Sequence, residues 1–174
     1  GALQGTVRVQ GGAFRDATGA RLPVLCHFGD ALSRWHRGQE AAGEGILDVM
    51  AGAGYHGVRT WSCLRGSYWA GREVVVNRVD LSTFCEALRE RGLKVLLSQG
   101  DLFQAGVSAG THADMQQVIL DVLAAGHRDV FFGLDGCNEP VGNMEGTPQD
   151  LADHMANEQK KWKPIVEALN LKVN

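Results

Sequence analysis

The sequence predicts an α/β protein of the (β/α)8, or TIM-barrel, type, with only an N-terminal hairpin and about four βα units present, a half-barrel. Apolar strand-like runs alternate with helix-like segments along the chain, as in a parallel sheet covered by helices. One apolar position recurs in each strand-like run, at Val24, Val58, Val95 and Phe131. These positions are 34, 37 and 36 residues apart, the length of one strand–loop–helix–loop unit. A complete barrel takes about 250 residues, whereas this chain has 174.

Four strands and four helices are predicted in alternation. The strands cover 22–30, 56–64, 93–101 and 129–140, and the helices cover 40–54, 80–92, 111–126 and 147 to about 170. The strands are apolar almost throughout, which is typical of parallel sheets buried on both faces. Thr111 and Asp114 have the spacing of a capping box at the start of the third helix. The fourth helix is predicted to begin with Thr147 as N-cap and Pro148 as its first residue.

The whole chain, residues 1–174, is predicted to be one partial barrel domain. Residues 1–21 are expected to form a hairpin with its turn at "DATG" (16–19), which plugs the N-terminal end of the barrel. Residues 22–174 hold βα units one to four and the start of a fifth strand. That strand is predicted at 170–174, because "NLKVN" resembles the "GLKV" that opens the third strand.

Charge and hydropathy disfavour two classes of partner. A formal net charge of -3 gives no general attraction to nucleic acid or to an anionic membrane. No apolar run approaches the ~20 residues of a membrane span. The chain begins "GALQGTV", without an initiator Met or a signal segment, so a processed product or a part of a longer protein is expected. The sequence does not fix the compartment, and a secreted protein or a part of a larger assembly is favoured over a cytoplasmic one.

The four cysteines are Cys26, Cys63, Cys85 and Cys137. Their even number permits two disulfides, but three lie in apolar strand-like runs and Cys85 lies on a helix face, so buried free thiols are favoured. A metal site from the other three with His27 is disfavoured, because no C-x-x-C or H-x-x-x-H spacing supports it. No cofactor is predicted either, since the glycines of "GAGYHG" (52–57) lead from a helix into a strand and not the reverse.

Polar and aromatic side chains follow the predicted strands, at the end where parallel barrels build their active sites. The candidates for substrate binding are His27, Trp35, Trp61, Tyr68, Trp69 and Asp101. Flat rings beside polar groups suit sugars, whose C–H faces stack on aromatic surfaces while their hydroxyls take hydrogen bonds. The alternative is that Trp61 belongs to the core and that the loop aromatics only anchor their loops.

Glu139, in "GLDGCNEP" after the fourth strand, is the leading candidate for catalysis. The general acid of glycoside cleavage needs a carboxyl with a raised pKa, and a barrel mouth can supply this through burial or a neighbouring carboxylate. The alternative is a Glu at the start of a loop, bonded to backbone amides or paired with Arg59. Arg59 is expected either to hold a carboxylate in place or to form a structural ion pair.

The motif "GCNEP" resembles the Asn-Glu-Pro signature of clan A glycoside hydrolases, the retaining (β/α)8 enzymes that include cellulases and β-mannanases. "GVRTW" (57–61) resembles the segment that brings an Arg to the active site in the family 5 branch, and "GGAFRDATGARLPVLCHFGD" resembles its hairpin and first strand. The resemblance implies that Glu139 is the acid/base, that Asn138 binds the sugar 2-hydroxyl and that Arg59 has a supporting role.

The resemblance covers only the N-terminal half of such an enzyme. The family's nucleophile is a Glu at the end of strand seven, which this chain lacks, and a retaining mechanism needs two carboxyls about 5–5.5 Å apart. The chain is therefore expected to act on or bind a β-linked polysaccharide or oligosaccharide, but not to hydrolyse it alone. The rest of the barrel would come from the same protein, another chain or a second copy on a two-fold axis. The alternative is a non-catalytic carbohydrate-binding, adhesion or structural module of a larger assembly.

Overall fold

The protein is described by a computed structural model that covers residues 4–19, 24–64, 74–98, 109–135 and 148–168. The strands are β1 (Arg8–Gln10), β2 (Ala13–Arg15), β3 (Leu25–His27), β4 (Gly57–Trp61), β5 (Cys63–Leu64), β6 (Val74–Val75), β7 (Lys94–Ser98) and β8 (Phe131–Asp135). The helices are α1 (Ser33–His36), α2 (Glu40–Gly52), α3 (Arg78–Glu90), α4 (Ala109–Val122) and α5 (Pro148–Ala168).

The main sheet has four parallel strands in the order β3-β4-β7-β8, with helices in the connections between them. Val58 pairs with Val95, and Val95 pairs with Phe131, as the sequence spacing predicts. Val58 pairs on its other side with Cys26, however, so the predicted equivalence of Val24 is wrong. The first strand is only three residues long and begins after Val24, which is half exposed.

The core lies between the outer face of the sheet and the helices. Val58, Val95 and Leu97 alternate with the inner-face residues and are fully buried. The fully buried helix side chains that join them in the core are Leu47, Leu81, Phe84, Leu88, Met115 and Ile119. Arg59 and Leu96, on the inner face, are only partly buried. Within the described residues, the expectation that both faces of the sheet are buried is therefore wrong.

The N-terminal hairpin turns at Gly11–Gly12, and the predicted turn at "DATG" is wrong. Both glycines have positive φ, 59° and 71°, which a two-residue hairpin turn of this hand requires. The residues of "DATG" instead follow β2 and form a tight bend around Asp16. The Asp16 carboxylate accepts hydrogen bonds from the Thr18 N–H at 2.9 Å and the Gln4 N–H at 2.8 Å.

The hairpin lies at the N-terminal end of the sheet, where the sequence places it. Lys94 begins β7, and its Nζ donates to the Gly5 carbonyl at 2.8 Å. The Phe14 ring of β2 packs against the Phe132 ring of β8, with centroids 4.8 Å apart. The N-terminal hairpin and the residues before it therefore cover the N-terminal ends of β7 and β8.

Several element boundaries differ from the predicted ones. Helix α3 begins at Arg78, two residues early, because the Asn77 side chain accepts from the Asp80 N–H and caps it. Helix α4 begins at Ala109, so Thr111 lies inside it and is not its N-cap. The β5–β6 pair between β4 and α3 was not predicted. Pro148 is the first residue of α5, as predicted, whereas Thr147 and the proposed fifth strand at 170–174 lie outside the described residues.

Two cysteines, Cys26 and Cys85, are free thiols. Burial raises the pKa of the Cys85 thiol to about 12, so it stays protonated at neutral pH. The Cys63 and Cys137 side chains lie outside the described part of the chain. In that part, no three potential metal ligands lie together, and no helix is long and apolar enough to cross a membrane.

Candidate functional site at the carboxyl ends of the strands

Three of the predicted site residues meet at the carboxyl ends of the first two sheet strands. His27 ends β3 and pairs in register with Arg59 of β4. Trp61 ends β4 and shares the inner face with Arg59, since two residues separate them along a strand. The His27 and Trp61 rings lie 6.0 Å apart at an interplanar angle of 60°. These three side chains, with Ser98 at the end of β7, are called the upper cluster below.

Arg59 links three strands through its guanidinium group. Its Nη1 lies 3.2 Å from His27 Nδ1, and its Nη2 donates to Ser98 Oγ at 3.4 Å. Because a guanidinium can only donate, His27 accepts through Nδ1, and its ring hydrogen lies on Nε2. A fixed positive charge with a planar set of donors therefore lies in the open inner face of the sheet.

The Trp61 indole lies against the backbone at Gly29. A methyl group added at Gly29 would come within 2.9 Å of the ring, so only glycine permits this position of the indole. The ring is partly exposed, but its Nε1 is buried and has no hydrogen-bond partner among the described residues. A buried N–H without an acceptor costs free energy, which an acceptor atom reaching it would recover.

The loop after β3 is tied to the end of β4 and supports this arrangement. Thr60 Oγ1 donates to the Gly29 carbonyl at 2.9 Å and accepts from the Leu32 N–H at 3.2 Å. The backbone N–H of Trp61 also donates to the Gly29 carbonyl, at 3.1 Å. The Thr60 side chain is fully buried. The backbone at Trp61 is therefore tied to the loop that carries Gly29, against which the Trp61 ring lies.

The upper cluster offers chemistry suited to a neutral polyhydroxylated ligand. Arg59 supplies charged donors, and the exposed His27 supplies a donor at Nε2, since its Nδ1 accepts from Arg59. The partly exposed Trp61 adds an aromatic surface beside them. A site with one flat apolar surface and a few convergent polar groups is typical of small-ligand recognition.

Trp35 was predicted to lie in this site, and the structure corrects that prediction. Trp35 lies in the short helix α1, is only 3% exposed, and packs edge-on against Phe84 of α3 at 4.9 Å. Its ring also fills the space above Gly43 of α2, so it belongs to the core between these helices. The sequence placed it in a loop because "LSRWH" is too short to show a helical period.

The other predicted site residues lie outside the described residues. They are Tyr68, Trp69, Asp101, Asn138 and Glu139. The strands that lead to them are described: β7 ends three residues before Asp101, and β8 ends four residues before Glu139. Their place near the upper cluster stays a prediction.

Solved structures of mannan-degrading enzymes share this fold. The β-mannanase from Streptomyces thermolilacinus, solved with mannohexaose, is 21% identical with a TM-score of 0.65, and the match covers 98% of this chain and 51% of that one. The mannanase catalytic domain from Streptomyces sp. SirexAA-E is 16% identical with a TM-score of 0.63, over 92% and 48% of the two chains. The β-mannanase from the blue mussel Mytilus edulis is 13% identical with a TM-score of 0.56, over 91% and 54%.

The chain has the fold of half a TIM barrel. It spans about half the length of the mannanases that it matches, and the four parallel strands in the described residues are half of the eight in such a barrel. No protein-family model and no curated protein sequence matches the chain. At these identities the likeness establishes the half-barrel fold, which the alternation of strands and helices in the sequence predicted.

The lower, N-terminal face of the half-barrel holds a charged cluster that the sequence did not reveal. Lys94 Nζ donates to the carbonyls of Gly5 and Asp129, and Arg89 forms a bidentate pair with the Asp129 carboxylate at 2.7 and 3.0 Å. The hydrogen bonds from Arg89 hold the pKa of Asp129 below its usual range, and burial lowers the pKa of Lys94. These residues line a cavity of about 200 Å³. Because barrels use this face for stability, we assign the cluster to anchoring the hairpin.

Proposed function

We propose that this chain binds a β-linked polysaccharide at the carboxyl ends of its strands, as one half of a glycoside hydrolase-type barrel. The observation that carries the proposal is the convergence of His27, Arg59 and Trp61 on the inner face at that end of the sheet. The shared fold with mannanases, one of them solved with mannohexaose, supports a sugar as the ligand. Within the proposal, Asp101, Tyr68 and Trp69 contribute to the same surface from the loops.

The catalytic part of the proposal rests on Glu139 and Asn138. In the acid/base position, Glu139 would donate its proton to the glycosidic oxygen while a second carboxylate attacks the anomeric carbon, and would then deprotonate the water that releases the sugar. Asn138 would donate to the sugar 2-hydroxyl. Arg59 would stabilise the ionised state of a neighbouring carboxylate through its charge. The attacking carboxylate is none of these three residues.

A second candidate function is a carbohydrate-binding or structural module without catalysis. The observation that favours it is that Arg59, His27 and Trp61 all lie on β3 and β4, so the upper cluster can bind a sugar without a second carboxylate. Binding and hydrolysis therefore need separate measurements.

The substitution Glu139→Gln tests the acid/base role. Retention on insoluble mannan and cellulose, and release of nitrophenol from aryl β-glycosides, would be measured for the wild-type chain and the variant. Both proteins are expected to bind the polysaccharide, because the amide keeps the size of the acid. If the chain works in hydrolysis, turnover is expected to fall at least about 100-fold in the variant, as loss of a general acid does.

Turnover by the wild-type chain that the variant loses would support the acid/base role of Glu139 and contradict the non-catalytic module. Binding by both proteins without turnover by either would support sugar binding and agrees with both candidates, because Glu139 is only one of the two carboxyls that hydrolysis needs. Equal turnover by both would contradict the acid/base role of Glu139. A folded wild-type chain that binds neither polysaccharide would contradict the proposed function itself.

A further inference from the structure

Trp61 supplies the aromatic surface of the upper cluster, and Gly29 is the residue against which its ring lies. A Cβ built at Gly29 would come within 2.9, 2.9 and 3.0 Å of the indole atoms Cδ2, Cε3 and Cε2. A point almost equidistant from these three atoms lies above the face of the six-membered ring and not beside its edge. The Gly29 backbone therefore packs on one face of the indole.

Glycine is needed at position 29 for space and not for its backbone conformation. Gly29 is not among the glycines with positive φ, so its backbone is compatible with alanine. Carbon atoms pack at about 3.5–4.0 Å, so a methyl group here would force the ring and the loop apart by more than about 0.5 Å. Which of the two moves depends on how firmly each is held.

The loop is the partner that is held in place. The Gly29 carbonyl accepts from Thr60 Oγ1 at 2.9 Å and from the backbone N–H of Trp61 at 3.1 Å. The Phe28 N–H, one residue earlier, donates to the Arg59 carbonyl at 3.0 Å. The indole is less restrained, because it is partly exposed and its Nε1 has no hydrogen-bond partner among the described residues. A methyl group at Gly29 would therefore displace the ring and leave the loop in place.

We propose that Gly29 is a positioning residue of the sugar site, which acts by fixing where the Trp61 ring lies. With glycine at this position, a pyranose stacks on the exposed surface of the indole, beside the His27 ring. His27 Nε2 then donates to a hydroxyl of the same sugar, since Nδ1 accepts from Arg59. Stacking and this hydrogen bond are satisfied together only if the two rings keep their relative position. The inference rests on the proposed function, because it concerns the binding of the same sugar.

The test is a double-mutant cycle on the affinity for mannohexaose, measured by isothermal titration calorimetry. Trp61→Ala is expected to weaken binding at least about tenfold, because it removes the stacking surface. Gly29→Ala is expected to weaken binding about fivefold, because the ring is displaced but not lost. The double variant is expected to bind within about twofold of Trp61→Ala, since a residue that acts only through the ring has no effect without it.

Gly45→Ala is the matched control for the exchange of a glycine for alanine. Gly45 is exposed within α2, and a Cβ there would have no described atom within 4 Å beyond its chain neighbours and its own helix backbone. Its affinity is expected to stay within about twofold of wild type. The position of the ring is followed by the Nε1–H signal of Trp61 in ¹⁵N-labelled protein, identified by its absence from Trp61→Ala. This signal is expected to shift in Gly29→Ala and to stay in place in Gly45→Ala.

Four results would overturn the inference. Equal affinities of Gly29→Ala and wild type would contradict the positioning role and leave the proposed function standing. A loss in the double variant equal to the product of the two single losses would show that Gly29 acts independently of the ring. An unfolded Gly29→Ala chain, detected by circular dichroism, would show that the loop yields and not the ring. Wild type that does not bind mannohexaose would contradict the proposed function, and the inference would fail with it.

Discussion

The substitution Gly57→Ala is expected to destabilise the protein by about 3 kcal/mol, a shift of roughly 10 °C in Tm for a domain of this size. Gly57 begins β4 and lies in register with Lys94 of β7 and Leu25 of β3. A Cβ at Gly57 would collide with the Lys94 carbonyl oxygen and approach the Leu25 side chain to 2.8 Å. The leucine can rotate away, but the carbonyl is held in the centre of the sheet.

The control is Gly133→Ala in β8, another glycine within a sheet strand. There the new methyl group would meet only the Leu96 Cδ1, at 3.5 Å, which is an ordinary contact. Its effect is expected to stay within about 0.5 kcal/mol. Urea denaturation at one protein concentration measures both variants. Equal stabilities for the two would contradict the register of β3, β4 and β7.

The substitution Arg59→Ala is expected to weaken mannohexaose binding at least tenfold, about 1.4 kcal/mol. It removes the charged donors of the upper cluster and leaves His27 Nδ1 and Ser98 Oγ without the guanidinium that joins them. Arg59→Lys keeps the charge but loses the planar fork, so an intermediate affinity is expected. Isothermal titration calorimetry gives the three affinities, and circular dichroism checks that each variant is folded.

Arg78→Ala is the matched control for the loss of one positive charge. Arg78 is two-thirds exposed at the start of α3 and lies 3.8 Å from Asp121 of α4, outside the upper cluster. Its removal is expected to change neither mannohexaose affinity nor stability by more than about 0.5 kcal/mol. If Arg78→Ala weakens binding as much as Arg59→Ala, the effect is one of net charge and not of the site.

The parts of the fold that the sequence predicted are those governed by hydrophobic periodicity. The alternation of apolar strands with helices of period 3.6 predicted the parallel sheet, and the spacing of Val58, Val95 and Phe131 predicted their register. The predicted register position of Val24 was wrong because the first strand of the main sheet is short. In the sequence, an apolar residue next to a strand cannot be distinguished from one inside it. The predicted position of the hairpin turn was wrong because "DATG" and the Gly11–Gly12 pair are both turn sequences. Only the pairing of β1 with β2 distinguishes them.

The candidate site was predictable where strand ends define it. His27, Arg59 and Trp61 follow from the rule that parallel strands bring their carboxyl ends to one edge. The position of Trp35 does not follow from this rule, because its burial depends on Phe84, a residue far away in sequence. The charged cluster on the N-terminal face was not predictable either, since Lys94 Nζ donates to the Gly5 carbonyl, 89 residues away in sequence. No local pattern encodes such a contact.

We propose that this half-barrel binds a sugar at the carboxyl ends of its strands. The most direct measurement is a titration of the ¹⁵N-labelled chain with mannohexaose, followed by amide chemical shifts. We expect shifts concentrated at His27, Arg59, Trp61 and Ser98, with the lower-face amides of Gly5 and Asp129 unchanged. Shifts confined to the lower face or the outer helices, or none at millimolar mannohexaose, would contradict it.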